Sequence, residues 1–332
     1  MVDIAGAGIS GLTAGYMLSR NDIKVKIFEK GKVGGMLASN QALRYMHNTP
    51  EVIALLNDIK CNYAITKRRA KVYWNHAYVS HPFDDEEFIK QYTEKSTKAN
   101  MRVVKDLIKN AKHDENQDFV LLKESLIDKL IGSFEFELVE GFYKRDETAA
   151  TILTTPVFYN MDLLNSLYKR YQDKFISRYV YGFEFAVEEN LSRNSTIIYV
   201  PQTDIVFHRV SIPENLHLMN QTIEKRLVCE VSSPMILSKS EIEYTMWQCM
   251  KGLEKMGLVY NLQDCVIHSK YCIPNGYMLQ TEEAIETMQK FAEEAKKKNV
   301  YFLGRFAEWS QDDISRTIVK AKWLSTQMAN VR

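Results

Sequence analysis

The sequence predicts an α/β fold in which a parallel β-α-β unit is interwoven with a β-rich α+β region and a small helical lid. Three observations carry this. An apolar run, Val2 to Ala5, gives way to glycines and then to a helical pattern, and a second apolar run follows in under 30 residues. Residues 175–231 read mostly as strands. The last part of the chain returns to helix, strand and helix, with no internal repeat or low-complexity linker, so the chain is expected to cross between domains more than once.

The elements follow in order. Ile9 to Ser19 keeps apolar residues at helical spacing and stops at the polar turn Arg20-Asn21-Asp22; Val25, Ile27 and Phe28 then form a strand ending at Glu29. Segments 50–59 and 84–111 read as helices, the latter a highly charged pair forming the lid, while 63–65, 72–74 and 78–79 alternate like short strands. An amphipathic helix is expected over 121–130, leading into 134–139, 141–144 and 150–156. Strands are expected over 196–200 and 206–212, helices near 239–256 and 281–298, a strand over 300–303 and a last helix from about Asp312.

Composition bounds the answer. The 332 residues, 45% hydrophobic, suffice for one large or two interwoven domains with a buried core. With 43 Lys plus Arg against 42 Asp plus Glu, the molecule has no general attraction to nucleic acid or anionic membrane. Five cysteines (61, 229, 249, 265, 272) form no CxxC pair and argue against a disulfide framework, which fits a reducing cytoplasm. No leader pattern precedes Val2 and no stretch approaches the ~18 apolar residues of a membrane span, so a soluble, cytoplasmic protein without a membrane partner is expected. The seven histidines show no metal-ligand spacing and no G-x-S-x-G nucleophile motif occurs, so no metal and no serine nucleophile are expected.

Gly6, Gly8 and Gly11 lie between a strand and a helix, the context that gives this spacing meaning. Gly6 permits the turn, Gly8 lets the backbone approach a pyrophosphate, and Gly11 lets helix pack on strand. The diphosphate would sit on free amides of Ile9, Ser10 and their neighbours at the helix N-terminus. Glu29, 18 residues after Gly11, can accept hydrogen bonds from both ribose hydroxyls. The plainer alternative is a Gly-rich turn of some other α/β protein. Beyond Glu29 and Lys30, the Gly34-Gly35 pair before Met36 points to FAD rather than NAD, because it lets the chain pass close to ribityl and diphosphate; otherwise it is a flexible loop.

With these motifs the chain resembles the two-dinucleotide-binding-domain FAD flavoproteins, the superfamily of monoamine oxidases, protoporphyrinogen oxidases and UDP-galactopyranose mutases, and most resembles the mutase and protoporphyrinogen-oxidase-like branch. Ala150-Thr151-Ile152-Leu153-Thr154-Thr155-Pro156 resembles the family's return to its Rossmann-like FAD domain. Ile198-Tyr199-Val200-Pro201 and Val206-Phe207-His208-Arg209-Val210 resemble substrate-domain strands, and Val300-Tyr301-Phe302-Leu303-Gly304-Arg305 followed by Asp312-Asp313 resembles the C-terminal flavin motif. A guanidinium after such a strand can lie beside a diphosphate, and the next helix can aim its dipole at a reduced flavin. Alternatively, Arg305 makes a surface salt bridge and Asp312-Asp313 cap a helix.

The resemblance implies FAD contacts at Gly6, Gly8, Ile9, Ser10, Gly11, Glu29, Lys30, Gly34, Gly35, Met36, Arg44, Val139, Gly304, Arg305, Asp312, Asp313 and Ile314. It places Arg209 on an arginine near flavin and substrate in mutases, and Tyr277 on a tyrosine contacting the substrate diphosphate. The chain departs from the mutases where Ala42-Leu43-Arg44-Tyr45-Met46-His47-Asn48-Thr49 replaces a segment with more histidines, and where Trp309-Ser310-Gln311 replaces a second tyrosine. Trp309 and Tyr277 could instead form part of a cage for an amine, or pack in the core.

The implied domains are FAD-binding (1–60, 119–156 and 295–332), substrate-binding (61–83 and 157–294) and lid (84–118). The leading expectation is an FAD-dependent oxidoreductase of amine oxidase and protoporphyrinogen-oxidase-like type, moving hydride from a C–N or C–C bond to flavin N5. The short lid would admit a bulky or polymer-borne substrate, nucleic acid included, drawn by Lys67-Arg68-Arg69-Ala70-Lys71; such a charge run also occurs as a solvated face. Alternatives are a redox-neutral mutase acting on a nucleotide sugar and a non-catalytic FAD-binding module.

Overall fold

A computed structural model describes residues 1–39, 45–80, 86–96, 118–159, 171, 173–187, 195–216 and 225–330. The strands are β1 (Val2–Ala5), β2 (Val25–Glu29), β3 (Tyr45–His47), β4 (Tyr63–Lys67), β5 (Ala70–Trp74), β6 (Ala77–Ser80), β7 (Asp118–Leu122), β8 (Glu137–Glu140), β9 (Ala150–Leu153), β10 (Ser177–Val187), β11 (Ile197–Tyr199), β12 (Arg209–Ser211), β13 (Lys225–Ser233), β14 (Val266–Met278) and β15 (Val300–Phe302). The α-helices are α1 (Ile9–Ser19), α2 (Pro50–Asp58), α3 (Glu86–Ser96), α4 (Leu126–Ile131), α5 (Lys239–Lys255), α6 (Glu282–Lys296) and α7 (Ile314–Asn330).

The chain divides into two compact units, one of residues 1–65, 119–175 and 282–332, the other of 66–118 and 176–281. The expected domains put 157–175 and 282–294 elsewhere. They fall in the first unit because the Val157 amide bonds to the Phe306 carbonyl at 3.1 Å and Phe291 of α6 packs on Phe302 of β15 at 4.9 Å.

The first unit is built on a five-stranded sheet in the order β15-β9-β1-β2-β8, every pair parallel. Parallel strands need crossovers, and α1 supplies the one between β1 and β2. Seven of the 11 residues of α1 are buried, as befits a helix apolar on most sides. One core joins Ile4, Ile27 and Ile152 of the sheet to Leu12 of α1, Leu56 of α2 and Ile318 of α7, and to Met46 and Val120 of the small sheet β3-β7-β4. The expected helix over 121–130 is thus two elements. Phe119 to Leu122 are buried without a break and pair with β3, which selects a strand, and Ser125 then caps α4.

The second unit is a seven-stranded sheet in the order β14-β10-β13-β12-β11-β5-β6, antiparallel except for β11 with β5. Alternation gives it two unlike faces. Phe183, Phe185, Leu227, Cys229 and Val210 share a core with Cys249 and Leu253 of α5. The residues between them, among them Gly182, Glu184 and Glu230, make the other, polar face. β14, the longest strand, escapes the sequence reading because it is an edge strand half-exposed along its length and interrupted by Pro274-Asn275-Gly276. Of the expected lid, only 86–96 and 118 are among the described residues.

Candidate functional site

Three turns distant in sequence meet at the N-terminus of α1. Gly6 accepts no side chain easily, since a Cβ there would lie 2.6 Å from Thr154 Oγ1. At Gly11 a Cβ would fall 1.9 Å from the Gly6 carbonyl oxygen, so helix and strand touch through backbone. Gly8 is the opposite case, because a Cβ there would meet nothing within 4 Å. That open space faces the start of a helix with no side-chain cap and no acidic residue in its first turn. An α-helix leaves its first amides without intrahelical acceptors, and such an end is suited to an anion.

The second turn runs alongside. The Gly34 amide donates to the Ala7 carbonyl at 2.7 Å, Gly34 bridges to Gly8, and a Cβ on Gly35 would lie 3.4 Å from Gly8 Cα. Glu29 fixes both turns: its Oε2 accepts from the Ala7 amide and its Oε1 from the Gly31 amide, each at 2.8 Å. Each carboxylate oxygen keeps a lone pair for a ribose hydroxyl.

The third turn arrives from the C-terminal end. Gly304 adopts φ +102°, and a Cβ on it would come 2.2 Å from Ser10 Oγ, so only glycine brings Gly304-Arg305 against the start of α1. Its amide donates to Glu308 Oε2 at 2.8 Å. Arg305 Nε donates to the Asp312 carbonyl at 2.8 Å, closing the turn before α7, and the Asp312 carboxylate pairs with Lys320. Asp313 Oδ1 accepts from the Arg316 amide at 2.8 Å and its Oδ2 lies 3.1 Å from His47 Nε2. Burial works to raise the Asp313 carboxyl, but the bonds from His47 and Arg316 outweigh it and hold the group below its ordinary value. Ile314 packs on the core at the start of α7.

A polar cluster lies in the second unit. Register puts Tyr271, Gly182, Glu230, Arg209 and Tyr199 directly opposite one another across β14, β10, β13, β12 and β11. Gly182 is needed in this row, since a Cβ there would be 2.1 Å from the Tyr271 ring. Glu230 accepts from Arg209 Nε at 2.6 Å and Nη2 at 2.7 Å, a two-point pair, and from Tyr277 Oη at 3.2 Å. Tyr277 Oη also lies 3.0 Å from Nε2 of the buried His208. Burial opposes the Arg209 charge, but Glu230 more than offsets this and holds the guanidinium well above its ordinary value. Burial, reinforced by Glu230, pushes the Tyr271 phenol up.

The structure thus brings together Gly6, Gly8, Ser10, Gly11, Glu29, Gly34, Gly35 and Gly304 in the first unit, and Arg209 with Tyr277 in the second. Ile9 opens α1 between Gly8 and Ser10. Val139 of β8 pairs with Phe28 of β2, Met36 is exposed in the short turn Gly35–Ser39, and Lys30 Nζ lies over the Tyr159 ring at 4.2 Å and the Phe142 ring at 5.0 Å. Arg44 lies outside the described residues. Trp309 corrects one expectation: it is 2% exposed, packed edge-on against Phe158 and Phe175, and an indole so enclosed offers no face to an amine. Sequence reasoning missed Glu230, His208, Gly182, Tyr271 and His47. The one available signal was a carboxylate inside the apolar run Leu227-Val228-Cys229-Glu230-Val231. Among the described residues, no group of three or more His, Cys, Asp and Glu is placed to hold a metal, and no helix is long and apolar enough to cross a membrane.

Residues 4–57, which contain the first two turns, match the NAD(P)-binding Rossmann-like domain family. No curated protein matches the chain by sequence. In fold it is similar to reduced UDP-galactopyranose mutase (TM-score 0.74, 13% identity, covering 100% of this chain and 94% of that one). It is also similar to a candidate protoporphyrinogen oxidase from Exiguobacterium sp. (TM-score 0.69, 12% identity, 100% and 99%). A third similar structure is wild-type putrescine oxidase bound to putrescine (TM-score 0.62, 13% identity, 99% and 98%). The chain therefore has the α/β fold common to these enzymes, and the resemblance read from its motifs is borne out at the level of the fold.

Proposed function

We propose that this chain is an FAD-dependent enzyme, an oxidoreductase of the amine oxidase and protoporphyrinogen-oxidase-like type. The convergence of the Gly6–Gly11, Gly34-Gly35 and Gly304-Arg305 turns on the open N-terminus of α1 carries the reading. The residues fit the group: backbone amides for a diphosphate, Glu29 for the ribose, and space beside Gly8 where any side chain would intrude. Bound there, FAD would supply a hydride acceptor at N5. In the second unit, the polar face of the sheet is the surface that would orient substrate. Glu230 fixes the Arg209 guanidinium, and Tyr277 Oη, bonded to both His208 and Glu230, is the atom at which a proton would be held.

A second reading, a redox-neutral mutase acting on a nucleotide sugar, is supported by the placement of Arg209 and Tyr277 in one cluster and by the likeness to the mutase fold. An anaerobic visible absorption spectrum separates the two. Bleaching of an oxidised-flavin band by a member of a pool of amines and reduced cyclic substrates supports the oxidoreductase. A spectral change only after dithionite and a UDP-sugar supports the mutase. A protein that takes up no flavin from added FAD sinks both.

A further inference from the structure

Arg316 and Lys320 lie one turn apart on α7, and Lys320 reaches back past the start of that helix. Its ammonium gathers two carboxylates there: Nζ donates to Glu308 Oε1 at 2.8 Å and to Asp312. The Glu308 and Asp312 side chains are 21% and 7% exposed, so both charges are largely out of water. Burial holds the Glu308 carboxyl above its ordinary value; Lys320 is the main influence against it, and Asp312 adds to the effect of burial. The other cation of this stretch, Arg316, stands 3.8 Å from Asp312 with its side chain mostly exposed, a weaker pair.

The two carboxylates that Lys320 holds belong to the residues that shape the third turn of the cradle. Glu308 closes it from both sides: the Gly304 amide donates to Glu308 Oε2 at 2.8 Å, and the Glu308 amide donates to the Gly304 carbonyl at 2.9 Å. The Ser310 amide donates to the Arg305 carbonyl at 2.9 Å, the Asp312 carbonyl accepts from Arg305 Nε, and Trp309 between them takes φ +49° with its ring buried. A glutamate here brings negative charge to the turn that rests on the start of α1. Left uncovered, that charge would repel a diphosphate and compete with it for Arg305, three residues away; neutralised by Lys320, it does neither.

We propose that Lys320 is a positioning residue for the cofactor: its ammonium, shared between Glu308 and Asp312, keeps the Gly304-Arg305 turn in the form that receives the FAD diphosphate. This rests on the reading of the three turns as an FAD cradle. A lysine suits the task because a compact ammonium with three donors on a flexible stem can serve two separate carboxylates at once. The hold on FAD is then set in part by a side chain that acts through Glu308 and Asp312 rather than on the cofactor itself.

The test pairs hydrogen exchange at the Gly304 amide of the full-length protein with the rate at which FAD leaves the loaded protein on dilution, followed by the rise in flavin fluorescence. Lys320→Met should speed both by about tenfold, the lower end for a charge-assisted hydrogen bond because Lys320 is partly open to water. Lys320→Arg should keep both close to wild type. Lys320→Met/Glu308→Gln should recover part of the loss, because the glutamine oxygen still accepts from the Gly304 amide and carries no uncovered charge. Unchanged exchange or unchanged FAD release in Lys320→Met overturns the proposal, and so does a loss that neither Lys320→Arg nor the double variant recovers, which marks a packing effect. A wild-type protein that takes up no FAD overturns the FAD reading instead, and the exchange comparison then decides by itself whether Lys320 holds the turn.

Discussion

Replacing Glu230 with glutamine tests the central contact of the second unit. The carboxylate receives Arg209 at 2.6 and 2.7 Å and Tyr277 at 3.2 Å, and Glu230 is 8% exposed. Glutamine keeps the shape and one carbonyl acceptor but turns an NH2 group toward a guanidinium N–H, so one bond is lost and the other loses its charge. Removing one partner of a buried ion pair costs about 3–5 kcal/mol, and a hydrogen bond to a charged group contributes about 1.5–3 kcal/mol. The Arg209 side chain remains 27% exposed, so water recovers part of this and a loss of about 2–3 kcal/mol is expected. Urea unfolding followed by tryptophan fluorescence reports it, because Trp74 and Trp247 lie in this unit. The double variant Glu230→Gln/Arg209→Met should recover most of the loss, since it leaves no buried charge unpaired. A change below about 0.5 kcal/mol in Glu230→Gln, within the range of ordinary surface substitutions, would refute the reasoning.

Two further outcomes follow from named contacts. Gly11→Ala puts a methyl where the Gly6 carbonyl stands, 1.9 Å away, so the cradle must open; retained flavin absorbance after ultrafiltration should fall to background while the far-ultraviolet circular dichroism persists. Lys95, whose Nζ donates to the Gln202 carbonyl, has its amine pulled down to about 7 by burial, against smaller opposing effects of Asp204 and Cys249. Between that value and its ordinary 10.5 the native protein binds fewer protons than the unfolded chain, so this residue makes stability rise with pH across that window and contributes no slope below it. Lys95→Met should flatten the dependence of the urea midpoint on pH there; an unchanged slope contradicts the assignment.

How much was legible in sequence depended on distance along the chain. The β1-α1-β2 unit and its glycines lie within 30 residues, and each glycine is dictated by a local geometry that any βαβ turn imposes. Helices α5, α6 and α7 were likewise legible from apolar spacing. The strand β7 was read as the start of a helix, because a short unbroken apolar run fits either element until a partner strand is known. Trp309 looked like a cage wall because aromatic residues in core and in active sites have the same appearance in a sequence.

The sequence by itself determined the phosphate-binding turn, the acidic residue behind it and the α/β class, because periodicity and backbone sterics act between near neighbours. Only the tertiary structure decided that Gly304 rests on Ser10 and that Glu230 neutralises Arg209. The pairing of Glu230 with Arg209 depends on strand order and register, which set which residues of β10, β12, β13 and β14 stand opposite one another. A two-residue slip would keep every side chain on its own face and change only what it stands opposite, so the alternation within a single strand does not fix that choice.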